Sequence, residues 1–191
     1  MKILKELKCD VYRYSYGNGN GSIFYFIFLI LRSFSKFGFL ALLNYRIGKE
    51  LRRVSARVIF FKQLIWIITG ISKMIVEILF GISLSYNSKL GKGMLIAHFS
   101  NIIVGDGVVI GDDCTLHQGV TIGVSGRNER GLPTIGNNFF AGANAVIVGS
   151  IIIEDNVVVA ANSLVYKDVK LNSVVSSHRM YVINTRGSRG V

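Results

Sequence analysis

Two rules govern where apolar side chains fall along this chain of 191 residues. In the first part they come in long runs, "SIFYFIFLIL" and then "FLALLNYRIGKELRRVSARVIFFKQLIWIITGISKMIVEILFGI", with Arg46, Lys49, Arg52, Arg53 and Arg57 spread over about three helical turns. That spacing predicts an α-helical segment over 1–82. The uncharged run at 22–31 is about half the length needed to cross a bilayer, and the later run is interrupted by Lys62, Lys73 and Glu77. Two arrangements fit. The helices pack on a core, with Phe24, Phe26, Phe60, Phe61 and Trp66 inside it, or they lie on an anionic membrane surface through the cations of 46–57.

Beyond residue 82 the period changes to six. Leu84, Leu90, Ile96, Ile102, Val108, Cys114 and Val120 form one apolar series, and Ile135, Ala141, Ile147, Ile153, Val159, Val165 and Leu171 form a second. Six matches neither an α-helix nor simple strand alternation; it predicts a coil of short strands and turns that buries one residue per side. Gly and Asn recur in "VGDG", "IGDD", "IGNN", "AGAN" and "VAAN". These are the expected corners, with Asn144 and Asn162 tolerating a left-handed backbone. From Val120 to Ile135 the step is fifteen, so "SGRNERGLP" at 125–133 leaves the wall as a loop, a common place for function. The chain thus divides into a helical segment, 1–82, a coil, 83–175, and a tail, 176–191.

Charge follows the same division. Residues 1–82 hold thirteen Lys and Arg against four Asp and Glu, a net of +9, whereas the remainder holds nine against seven. No nucleic-acid-binding motif accompanies these cations, so a nucleic-acid partner is not expected. Cys9 and Cys114 lie far apart without ligand spacing, which points to neither a disulfide framework nor a metal site. The polar N-terminus lacks a secretory pattern, and the expected location is cytoplasmic, with peripheral contact at the inner face of the membrane.

The hexapeptides, the histidine in "MLIAHFSNIIVG", the "GVTIG" ahead of a loop, and "FAGANAVIVGSIIIEDNVVVAANSLV" together resemble the left-handed β-helix acyltransferases over about residues 80–175. Within that superfamily the pattern is similar to the serine acetyltransferase branch. The helical leader with "LLNYRIGKEL" resembles more closely the colanic-acid and capsule acetyltransferases. The resemblance implies a mainly β fold, a left-handed parallel β-helix after an α-helical segment. It also implies a homotrimer that binds acetyl-CoA as co-substrate in the groove between neighbouring coils, with no metal. Carried over by position, it makes His98 the general base that takes a proton from an attacking hydroxyl. Ala143 and Ala161 match the small coil positions where the family's backbone holds the pantetheine arm, and Gly123, which closes "GVTIG", is a further cofactor-binding candidate; in the tail "SSHRM" stands where the family has a small-residue and proline turn, and Arg179, Arg186 and Arg189 either meet the phosphates or form a solvated basic tail. His117 stands nineteen residues after His98, about one coil of three hexapeptides, as a substrate-positioning group or an exposed coil residue.

Departures from the serine pattern shape the expected acceptor. The branch's Asp before the histidine is Ala97, its Arg–His pair before Pro133 is Gly131 and Leu132, and its orienting carboxylate is Ser83. Free serine then lacks obvious charge partners. The expected reaction is O-acetylation of a sugar hydroxyl in a surface polysaccharide or its precursor, with Arg127 and Arg130 of the loop available to an acidic sugar. Serine O-acetylation is the enzymatic alternative, with Arg130 on the carboxylate. A non-enzymatic scaffold attached to a membrane is the alternative from another class.

Overall fold

The computed structural model describes residues 2–15, 23–55, 59–126 and 131–177. Four helices come first: α1 (Lys2–Ser15), α2 (Ile23–Phe34), α3 (Phe37–Ser55) and α4 (Ile59–Phe80). Short strands follow: β1 (Ile82–Leu84), β2 (Lys89–Leu90), β3 (Leu95–Ile96), β4 (Ile102–Val104), β5 (Val109–Ile110), β6 (Thr115–Leu116) and β7 (Thr121–Gly123) before the loop. After it come β8 (Thr134–Ile135), β9 (Phe140–Ala141), β10 (Val146–Val148), β11 (Ile152–Ile153), β12 (Val158–Val159), β13 (Leu164–Val165) and β14 (Val174–Val175). Every third strand pairs in parallel, as β1-β4-β7-β10-β13, β2-β5-β8-β11 and β3-β6-β9-β12-β14, so three sheets make the walls of a left-handed β-helix.

The six-residue period is visible as alternation of buried and outward side chains along most of the strands, as in β4 and β10. Its register differs from the expected one. Ile82 pairs with Ile102, twenty residues on, whereas Ile103 pairs with Thr121, eighteen on. The two extra residues fall just after His98, where Ser100 and Asn101 both adopt positive φ, 90° and 53°. Leu84, Leu90 and Ile96 are therefore followed on the strands by Val104, Ile110, Leu116 and Ile122. Ile102, which opens β4, and Val108, Cys114 and Val120, which just precede their strands, are equally buried, two residues ahead of that series. Leu171 is corrected outright: it is 52 % exposed. Val158 pairs with Val174 after only sixteen residues, and Val169, bridged to Ile153, takes the inward place. Asn144 and Asn162 do sit at corners with φ near 58° and 56°, and Asn144 Nδ2 donates to Asn162 Oδ1 at 3.2 Å.

A coil of this kind leaves its first turn with unpaired backbone groups. Here the helical segment satisfies them. Tyr14 Oη donates to the Ile96 carbonyl and accepts from the Ile96 N–H (3.3 and 2.8 Å). Tyr45 Oη does the same between the Ser88 carbonyl and the Leu90 N–H (2.8 and 3.2 Å). Asp10 accepts from the Met94 N–H at 3.1 Å, and Arg46 donates to the carbonyls of Leu90 and Gly91. The Arg46 guanidinium also pairs with Asp10 at 3.0 Å and Glu6 at 3.2 Å. Burial pushes the Asp10 carboxyl up to about 6, with Arg46 pulling it back down. Gly38 lets α3 come this close, since a Cβ there would stand 2.3 Å from the Ile96 carbonyl oxygen. At the other end of the hairpin, Gly81 (φ 62°) closes α4 with its N–H on the Glu77 carbonyl at 2.9 Å and turns the chain into β1.

This use of cations corrects the expected membrane face at 46–57. Arg46 is 4 % exposed. Lys49 reaches Tyr45 Oη and the Ser88 carbonyl, and Arg52 donates to Thr69 Oγ1 at 2.8 Å while lying over the rings of Trp66 and Tyr86. Arg53 pairs with Glu50 on the surface, and Arg57 lies outside the described residues. The other expectation is corrected for Phe61 and Trp66, which are both exposed, while the side chains of Phe24, Phe26 and Phe60 lie outside the described residues.

Breaking the buried pair leaves a charge without its partner, so Arg46→Ala should cost about 3–5 kcal/mol in chemical denaturation. Replacing both partners, Arg46→Met with Asp10→Leu, should recover part of that loss. A cost below about 1 kcal/mol would place the pair with ordinary surface bridges instead.

Candidate active site

His98 leaves the coil where the wall of β3, β6, β9, β12 and β14 turns into that of β1, β4, β7, β10 and β13. Ala97 still belongs to the ladder, its N–H on the Leu116 carbonyl at 3.0 Å, and His98 after it is exposed. What fixes the excursion is the helical segment. Phe99 packs edge-on against Phe37 (centroids 4.9 Å apart), Phe37 stacks on Phe80 (5.0 Å), and the Ser100 N–H donates to the Phe80 carbonyl at 2.9 Å. The residues after His98 are thus held at the end of α4.

One coil on, His117 follows β6 with its N–H on the Ala141 carbonyl at 3.1 Å. Its ring centroid is 5.5 Å from that of His98 and 5.0 Å from that of Phe140. Partial burial, and then the charge of His98, hold the His117 imidazole below the usual histidine range. The His117 imidazole is thereby biased toward its neutral, proton-accepting form.

The ladder places Gly142 and then Ala160 in line with His117, and Ala143 and then Ala161 in line with Gln118. Small side chains there leave a shallow trough below the histidines, able to take a narrow, flexible chain whose amides meet backbone groups. Among the described residues, Gln118 Oε1 is buried without a hydrogen-bond partner at its head. Gly123 is elsewhere. It closes β7 at the far side of the sheet, about 13 Å from the Gly119 corner by strand length. His98, His117, Ala143 and Ala161 therefore share one edge of the prism, and Gly123 belongs to another. Arg127, Arg130, Arg179, Arg186 and Arg189 lie outside the described residues.

The Ser83 hydroxyl is committed to Glu77 Oε1 at 2.5 Å. Desolvation raises the Glu77 carboxyl, but the bonds from Ser83 and Lys73 outweigh it and hold the group below its usual range. A group the sequence reading passed over also stands near the histidines. Arg13 of α1 donates to Thr115 Oγ1 at 3.2 Å and to the Asp113 carbonyl at 3.4 Å; Thr115 opens β6, and His117 follows the strand two residues after it. No pattern in the sequence links one of the four cations of α1 to a strand a hundred residues later. Among the described residues no group of three or more His, Cys, Asp or Glu is placed to hold a metal ion.

A hexapeptide β-helix with a histidine pair above a small-residue trough defines a hexapeptide-repeat transferase, and residues 133–167 match the bacterial transferase hexapeptide (six repeats) family. The chain is 31 % identical over 137 residues to the serine acetyltransferase of Helicobacter pylori, covering 71 % of this chain and 75 % of that protein. It is 31 % identical over 153 residues to that of Synechococcus elongatus, covering 80 % of this chain and 59 % of the relative. The fold superposes on Neisseria gonorrhoeae serine acetyltransferase with a TM-score of 0.74 at 26 % identity, over 93 % of this chain and 64 % of that one. The same enzyme has been solved in complex with serine, where the TM-score is 0.73. The chain belongs to the serine acetyltransferase family. It spans about three fifths of the Synechococcus relative. These relatives overturn the expected polysaccharide acceptor, since they are serine acetyltransferases and not capsule or colanic-acid enzymes.

His98 is exposed, so His98→Asn should leave the thermal unfolding midpoint within a degree or two while lowering acetyl transfer about 10²–10⁴-fold. The same variant removes one of the two causes of the His117 shift. By NMR, the His117 titration should lie below 6.5 in the parent and move up toward that value in His98→Asn. A full rate without the imidazole would reduce His98 to a surface residue.

Proposed function

We propose that this chain is an acetyl-CoA-dependent O-acetyltransferase with serine as its acceptor. The observation that carries the reading is the His98–His117 pair, His98 exposed and His117 half-buried, at the head of the Gly142–Ala143 and Ala160–Ala161 trough, on a coil of the serine acetyltransferase family. His98 takes the hydroxyl proton as the oxygen attacks the thioester carbonyl; a C–O bond forms, the C–S bond breaks, and the proton passes to the leaving thiolate. His117 positions the acceptor. The pantetheine arm lies along the trough, its amides against the backbone at Ala143 and Ala161.

The uncharged Ala97, Gly131 and Leu132 leave the acceptor's carboxylate to be met from another element. Arg13 is suited to that role, with its guanidinium on Thr115, about 7 Å along the strand from His117. Copies of the chain assemble as a trimer in this reading. One chain holds its trough and Gly123 on separate edges, and only a neighbour brings the partner subunit's Gly123 to the open side of the trough.

Thiol release from acetyl-CoA in the presence of serine tests the acceptor, and O-acetylserine should accumulate in step with it. Arg13→Gln should raise the KM for serine about 10- to 100-fold, the worth of a charge-assisted hydrogen bond, and leave the KM for acetyl-CoA unchanged. Thiol release that does not depend on serine would remove the reading. Sedimentation should give a trimer at micromolar protein, and a fully active monomer would refute the shared groove.

A further inference from the structure

The cations of 46–57 are occupied within the fold, yet the helical segment carries a large apolar surface that no described residue covers. It belongs to α4. Thr69 is buried, and Arg52 and Tyr86 meet it through its Oγ1 (2.8 Å) and its carbonyl (3.1 Å), while Ser72 accepts from Asn44. These bonds pin one side of α4 to α3 and to the first coil. The opposite side presents Leu64, Ile67, Ile68, Ile71, Ile75 and Ile78, all exposed, with Ile78 at 73 %. At 100° per residue they fall in an arc of roughly 100°, and no charged residue interrupts it. Lys62, Lys73 and Glu77 lie instead on the side that carries Thr69, away from the stripe, with Glu77 bonded to Ser83 of the coil. The helix has 22 residues, so the strip is about 33 Å long.

A soluble helix turns such a stripe inward. Here the stripe faces out, on a segment whose net charge is +9. A second copy seated on it would bring two such segments together and add like-charge repulsion to the contact. A bilayer with anionic lipid supplies both an apolar acceptor and the opposite charge.

We propose that the outward face of α4 is a membrane-contact surface that lays the enzyme flat on an anionic bilayer. The helix is long and apolar enough to cross a membrane by length and composition. It does not span, because its inner side stays bonded to α3 and to Tyr86 of the coil. Lipid covers one side only, as for other interfacial helices.

Flotation of the full chain with vesicles tests this surface. Vesicles of phosphatidylcholine with about 30 % phosphatidylglycerol should carry the protein upward, and phosphatidylcholine alone should recover much less. Ile71→Glu with Ile75→Glu should cut recovery about tenfold or more, with the sedimenting size of the assembly unchanged. Ile71→Ser with Ile75→Ser gives a milder version of the same loss should the glutamates disturb the helix. The proposal fails if the parent protein stays in the soluble fraction with both lipids. It fails equally if the substitutions shrink the assembly and leave vesicle recovery as it was, which would assign the face to a contact between copies.

Discussion

The open edge of the first coil is the constraint from which the rest of this molecule follows. Each turn of a β-helix hydrogen-bonds the next, so inner turns are satisfied and the first is not. In this chain β2 and β3 end their sheets, and Tyr14, Tyr45, Asp10 and Arg46 supply the missing donors and acceptors. Those partners come from two helices, α1 and α3, and the Arg46–Asp10 pair joins them where both meet the coil. The pair thus ties the two helices of the cap together. Its charged parts are buried, which makes it costly to build and specific in where it docks.

Docking places the candidate base. Once α3 lies over β3, Phe37 at its start stands beside Phe99, and the hairpin brings Phe80 back to the same spot. The coil lengthens there by two residues, with positive φ at Ser100 and Asn101, and the extra length lifts His98 off the wall toward His117. A uniform turn of eighteen residues has no such excursion. The site is thus a joint product of a local irregularity and of the helices that hold it.

Much of this was legible in the sequence, for a physical reason. Burial of one residue per side imposes a period that survives composition, so the solenoid, its corners at Asn144 and Asn162, and the nearness of His117 to His98 could be read off. What escaped were features set by contacts between distant segments. The slip of register after Ile96 and the exposure of Leu171 arise from turns whose lengths only pairing reveals. Arg46 looks like a surface cation until Asp10 and the Leu90 carbonyl are brought to it. The acceptor was misjudged on similar grounds. Missing charges at Ala97, Gly131 and Leu132 describe three positions only, and they do not limit what an element elsewhere in the chain, such as Arg13 on Thr115, brings to the same face.

The exposed strip on α4 follows from the cap by the same logic. A helix has two usable sides in a layered packing, and α3 has given one to the coil and its contacts with Ile96, Ser88 and Leu90. That leaves its back for α4. The polar groups on the inner side of α4, Thr69 and Ser72, are used in the seam with α3 and Tyr86, so nothing remains to face the outward isoleucines. A third layer of helix is the ordinary solution in a larger protein. Here α1 and α2 pack on each other and on α3, and among the described residues no element reaches the far side of α4. The apolar composition of "LIWIITGISKMIVEIL" is thus more than a cap needs, since a cap-bearing hairpin would fold with polar residues on that outer face. The excess is a property of the surface itself, and it marks the side of the molecule turned away from both the coil and the histidine pair.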